Sequence, residues 1–128
     1  MLDHISLGVS DLERSRRFYD TALKPLGVTR LLDFEERGSD YGVGFAPLGI
    51  EFTITREAAV QFSPGMHLCF RAPDRQSVID FFNAAMHCGG TSNGEPGMRM
   101  AYHPHYFAAF VLDPDGHRIE AVCHINPI

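Results

Sequence analysis

Hydrophobic and polar positions alternate from residue 4 to residue 9. Ile5, Leu7 and Val9 fall on one side and His4, Ser6 and Gly8 on the other, as a half-buried strand requires. A stripe at helical spacing follows, formed by Leu12, Tyr19, Leu23 and Leu26. Ser10 with Glu13 three residues later can form a capping box, and Asp11 is an alternative cap. The helix is predicted to end near Lys24-Pro25, with Gly27 marking the turn out. Strands are predicted over 26–34, 41–46 and 50–55, separated by the charged turn 35–40 and by Pro47-Leu48-Gly49. In the last of them Ile50, Phe52 and Ile54 alternate with Glu51, Thr53 and Thr55, which places Glu51 on the polar face.

Residues 56–65 read as a linker, and then the pattern restarts. Met66-His67-Leu68-Cys69-Phe70-Arg71-Ala72-Pro73-Asp74 echoes Asp3-His4-Ile5-Ser6-Leu7-Gly8-Val9-Ser10-Asp11 at an offset of 63 residues (4 to 67). In both copies a histidine lies seven residues before an aspartate, and an aromatic pair begins seven residues beyond it, Phe18-Tyr19 or Phe81-Phe82. One supersecondary unit is used twice. In the second copy His67, Cys69 and Arg71 share one strand face. Asp74 caps a helix with an apolar face of Val78, Phe81, Phe82, Ala85 and Met86, and Gly89-Gly90 ends it. Residues 91–106, rich in Gly, Pro, Met and His, read as the longest irregular segment, of the kind that often carries function. A strand over 107–112, a tight turn at Asp113-Pro114-Asp115-Gly116 and a closing strand over 118–123 complete the copy. Each half reads strand, helix, three strands. The expectation is an α+β fold of two tandem βαβββ modules, approximately 1–56 and 65–126, in one domain spanning 1–128.

Composition narrows the function. The chain has 128 residues, 45% apolar and 21% charged, which fits one globular domain. A formal net charge of -5 without a basic run argues against nucleic acid or an anionic membrane as partner and favours small molecules. No stretch approaches eighteen apolar residues, and the first residues run straight into a strand pattern, so a cytoplasmic protein is expected. Cys69, Cys88 and Cys123 are widely spaced and odd in number, as free thiols would be.

The repeat singles out four residues. His4 precedes Glu51 by 47 positions and His67 precedes Glu120 by 53, each histidine on the first strand of its module and each glutamate on the last. If each module curls its sheet into half a barrel, the two polar faces converge, and two imidazoles with two carboxylates line one cavity. Mixed nitrogen and oxygen donors suit zinc, nickel, iron, manganese or cobalt. A divalent ion held by His4, Glu51, His67 and Glu120 would act as a Lewis acid on a substrate with adjacent oxygens and stabilise an enediolate, with Glu51 or Glu120 as the proton-transfer base. Arg71, on the face of His67, could bind an anionic group. His117 and His124 read as turn and terminal surface residues.

These features, with the closing run Asp113-Pro114-Asp115-Gly116-His117-Arg118-Ile119-Glu120, resemble the vicinal oxygen chelate superfamily. That group includes glyoxalase I, extradiol dioxygenases, and fosfomycin- and bleomycin-resistance proteins. The resemblance implies paired βαβββ modules forming a cupped, barrel-like mixed sheet around a metal, often across the interface of a homodimer. His4, Glu51, His67 and Glu120 match all four metal positions of the glyoxalase I pattern, which implies a glyoxalase-like lyase or isomerase. Extradiol dioxygenases use two histidines and one glutamate, leaving Glu51 spare. A histidine and a tyrosine assist their oxygen chemistry, which makes His103, His105 and Tyr106 candidate acid–base groups. Gly8 stands where the microbial glyoxalase I pattern has an arginine that helps hold glutathione. A non-catalytic small-molecule binding or resistance protein is the remaining alternative, and relatives of that kind usually lack the ligands.

Overall fold

The computed structural model describes residues 1–46 and 48–127; Pro47, part of the predicted turn, and Ile128 lie outside the described residues. The first module runs β1 (Ile5–Val9), α1 (Leu12–Ala22), a single 3-10 turn (Lys24–Leu26), β2 (Thr29–Phe34), β3 (Gly38–Gly42) and β4 (Ile50–Arg56). The second runs β5 (Leu68–Arg71), α2 (Arg75–His87), β6 (Thr91–Met98), β7 (Phe107–Leu112) and β8 (Arg118–Cys123). Each module makes one mixed four-stranded sheet, ordered β1-β4-β3-β2 and β5-β8-β7-β6. The first and last strands of each module are parallel neighbours.

Asp11, rather than Ser10, caps α1: its carboxylate accepts from the Arg14 amide at 3.1 Å. Asp74 does the same for α2 with the Ser77 amide at 2.7 Å. Both satisfy an amide that the first helical turn leaves without a partner. Pro25 turns the end of α1 into the 3-10 segment, and Gly27 leaves it at φ 80.

The hairpin between β2 and β3 departs from the predicted pattern. Residues 38–40, read as turn, are strand, and 43–46, read as strand, are not. The ladder with β4 shifts register between Tyr41 and Gly42, and beyond it the chain turns, with the Val43 amide donating to the Gly49 carbonyl at 3.1 Å; only glycine fits at 42, where a Cβ would lie 1.7 Å from that oxygen. Arg16 secures the other end from α1. Its guanidinium donates to Ser39 Oγ at 2.7 Å and to the Gly38 and Glu35 carbonyls at 3.0 Å.

The helix-facing sides of both sheets share a single core. It joins Phe18, Tyr19, Tyr41, Phe52 and Ile54 of the first module to Val78, Phe81, Val111, Ile119 and Ala121 of the second. The Phe52 and Phe70 rings meet across the modules at 5.5 Å. The Asp113-Pro114-Asp115-Gly116 turn forms as predicted and does more than reverse the chain. Asp113 is buried and accepts from the Tyr19 hydroxyl at 2.5 Å and from the Asp115 and His117 amides at 2.9 Å. Burial pushes its carboxyl above the ordinary range, against the pull of Tyr19 and the other donors. Asp115 pairs with Ser10 and with Arg14. His117, expected at the surface, is buried and donates from Nε2 to the Gly8 carbonyl at 2.7 Å. One turn of the second module therefore docks on the start of the first. Among the described residues no helix is long and apolar enough to cross a membrane.

Candidate functional site

Parallel pairing of β5 with β8 sets Cys69 beside Glu120, and His67, two residues earlier, shares their face. Glu120 is only 1% exposed. A buried carboxylate must be paired or hydrogen-bonded, and both oxygens of this one are engaged. His67 Nε2 lies 3.0 Å from Oε1, and the Tyr106 hydroxyl donates to Oε2 at 2.5 Å. Burial and the bond to Glu120 raise the Tyr106 phenol above its usual range. Desolvation and then the Glu120 carboxylate push the Cys69 thiol up to about 12, although the residue as a whole is exposed.

Tyr106 comes from the segment between β6 and β7. Much of the stretch read as irregular, 91–98, is strand β6, so the loop is shorter than predicted. It is closed by bonds from the Arg99 amide to the Tyr106 carbonyl at 2.7 Å and from the Tyr106 amide to the His103 carbonyl at 3.2 Å. The His105 amide donates to His103 Nδ1 at 3.2 Å. That nitrogen is therefore the acceptor, so the His103 proton sits on Nε2 and is directed to His124 Nδ1, 2.5 Å away. The two imidazoles stack at 19° with centroids 4.7 Å apart, and the Tyr106 ring meets both edge-on at 5.2 Å. His124, expected as a terminal surface residue, is exposed and also packs edge-on against Tyr106. His105 contributes its amide to this group, and no bond of its imidazole occurs among the described residues.

In the first module the register pairing Ile5 with Phe52 carries one step back to His4 beside Glu51. His4 is exposed and its Nδ1 lies 2.6 Å from Asp3 Oδ1, while Glu51 is exposed and without a bonding partner among the described residues. Thr53, on the same face, donates to Asp40 Oδ1 at 2.6 Å, which adds a carboxylate that the sequence pattern had assigned to a turn.

The two pairs do not converge within one chain. Among the described residues there is no group of three or more His, Cys, Asp or Glu side chains able to hold a metal ion. The shared core explains why: the modules pack through their helix-facing sides, and each polar face lies on the opposite side of its own sheet. Each module presents two donors, one histidine and one glutamate. His67 and Glu120 form an ordered pair, and His4 and Glu51 an open one.

A family model described as the Glyoxalase/Bleomycin resistance protein/Dioxygenase superfamily matches residues 1–121. A glyoxalase/bleomycin resistance protein from Albidiferax ferrireducens T118 superposes with a TM-score of 0.80 at 31% identity, over 96% of this chain and 98% of that one. A glyoxalase-related enzyme from Fulvimarina pelagi superposes with a TM-score of 0.71 at 22% identity, over 100% and 89% of the two chains, a likeness of fold. A glyoxalase I mutant from Zea mays, V278E, superposes with a TM-score of 0.73 at 25% identity, over 96% of this chain and 46% of that one. No curated protein matches the chain.

Proposed function

From the chain's membership of the Glyoxalase/Bleomycin resistance protein/Dioxygenase superfamily, to which it belongs, we propose a divalent-metal-dependent, glyoxalase-like lyase or isomerase. It acts on a small substrate with adjacent oxygens and works as a homodimer. The observation that carries this reading is the His67–Glu120 pair: an imidazole nitrogen 3.0 Å from a carboxylate that is 1% exposed and held from its other side by Tyr106. An exposed imidazole over a fixed carboxylate is a donor set of the mixed kind that borderline first-row ions favour, so the residues present fit zinc, nickel, manganese, cobalt or iron. Two donors are too few for a closed site. Because the polar faces sit opposite the shared core, the missing two come from His4 and Glu51 of a second copy.

Bound there, the ion supplies Lewis acidity toward two adjacent substrate oxygens. The chain's own residues divide the remaining work. Tyr106 holds Glu120 Oε2, which leaves Oε1 as the oxygen facing His67. Glu51 has no hydrogen-bond partner among the described residues, so it would be the more loosely held carboxylate of the set and the one to leave the ion, take a proton from the substrate and return it one atom away. Metal analysis of purified protein tests the proposal. The expected result is a retained ion, or one whose addition restores activity, and its loss in Glu120→Gln, because a neutral amide is a weaker ligand. Failure of all five metals either to be retained or to bind on addition would overturn it.

A second reading, ring cleavage by an iron-dependent dioxygenase, uses His4, His67 and Glu120. It is favoured by the contrast between unbonded Glu51 and doubly bonded Glu120. Oxygen uptake with catechols under ferrous conditions selects it, and no uptake across a catechol panel removes it.

A further inference from the structure

The linker between the modules and the start of β8 enclose a cavity of about 350 Å3. Leu7, Phe62, Pro64, Met66, His117 and Arg118 line it, and neither His67 nor Glu120 does. Small-molecule sites typically measure roughly 300–1,000 Å3, with mostly apolar walls and a few placed polar groups. This cavity has both properties, and its polar groups are specific.

His117 is 9% exposed and fixed from two sides. Its amide donates to Asp113 at 2.9 Å, and its Nε2 donates to the Gly8 carbonyl at 2.7 Å. In the tautomer whose only ring proton is on Nε2, Nδ1 carries a lone pair. That nitrogen has no hydrogen-bond partner among the described residues, and the imidazole that carries it forms part of the cavity wall. The Phe62 ring stands edge-on to this imidazole at 5.0 Å. Gly116, at φ 99, leaves room for it, since a Cβ there would lie 3.3 Å from the Phe62 ring. Arg118 is exposed and, unlike Arg14, Arg16 and Arg30, has no acidic partner among the described residues. An unpaired guanidinium beside an apolar pocket selects a planar carboxylate, which it can grip through two parallel bonds.

We propose that this cavity binds a small monocyclic aromatic carboxylate. The ring packs on Phe62, Leu7 and Met66, the carboxylate meets Arg118, and a ring hydroxyl donates to His117 Nδ1. The site is separate from the His67–Glu120 pair and does not depend on a metal.

Calorimetric titration of the full chain with 4-hydroxybenzoate, and with its methyl ester as the uncharged counterpart, tests the assignment. The acid is expected to bind. Arg118→Gln should weaken the acid roughly tenfold, the scale of a lost charge-assisted bond, and leave the ester within about twofold. Phe62→Ala should weaken both, and Glu120→Gln neither. Absence of binding, equal effects of Arg118→Gln on acid and ester, or no effect of Phe62→Ala would overturn the proposal. Loss of binding in Glu120→Gln would also overturn it, by moving the ligand to the metal-type site, whereas a failed metal analysis alone leaves it standing.

Discussion

Glu120 accepts from two side chains while almost wholly buried, so its surroundings decide its use. Removing only the hydroxyl, in Tyr106→Phe, keeps the ring on the two histidines and leaves Oε2 without its donor. Loss of a partner that orients a ligand typically costs roughly 10–100-fold in metal affinity. That loss is expected here in a competition against a chromophoric chelator, while His105→Ala, which leaves the amide in place, should change little. Asp113 gives a stability prediction. Its carboxyl is raised by burial, so the folded chain holds that proton more tightly than the unfolded one. Its contribution is then fully present below the unfolded value and is lost as pH rises through the folded one. Urea denaturation of the parent against Asp113→Asn should therefore show the parent losing ground to the variant as pH rises through the acid range. A flat difference would contradict the buried setting of this carboxyl.

Helix caps and glycines explain where elements begin and end. Asp11 accepts the Arg14 amide, so Asp11→Ala should cost about 1 kcal/mol in urea denaturation. Both helices are legible because their apolar stripes are clean; β7 is an unbroken apolar run and β8 carries Ile119, Ala121 and Cys123 in alternation, and the Asp113-Pro114-Asp115-Gly116 turn between them sets their limits. Strand β6 is not legible. Thr91-Ser92-Asn93-Gly94-Glu95-Pro96-Gly97-Met98 lacks the β-branched alternation of a strand and carries glycines and a proline. It is a strand because β7 lies beside it, with register breaks at Ser92/Gly94 and Gly94/Gly97 that absorb the poor formers. Strand β3 departs from its local pattern for a related reason: it ends at a register shift against β4 and a turn closed by the Val43 amide on the Gly49 carbonyl, and nothing in the local alternation records that contact.

For the whole molecule, the decisive fact is that both sheets bury the same kind of face in one core. The four-donor site proposed above would then need two copies, which would tie assembly to chemistry. The double variants His4→Ala/Glu51→Gln and His67→Ala/Glu120→Gln should each be inactive as homodimers. Mixed dimers would carry one site with all four ligands and one with none. Equal mixing after subunit exchange should return roughly a quarter of the parent activity. No recovery, with exchange verified by mass spectrometry, would count against a shared site.

The amino-acid sequence by itself determined the duplicated module, its α+β class and the equivalent placing of His4 with Glu51 and of His67 with Glu120. These follow from local periods and from spacing, which a chain carries without its fold. Tertiary structure alone decided which histidine is engaged. His67 meets Glu120 because β5 and β8 pair in parallel, whereas His4 meets Asp3 and lies beside Glu51, which has no bonding partner among the described residues. It also drew His117, Tyr19 and Asp113 into one buried junction and gathered His103 and His124 around Tyr106. Those groupings join residues far apart in the chain, and burial and hydrogen-bond partnership are properties of the packed molecule that no local pattern encodes.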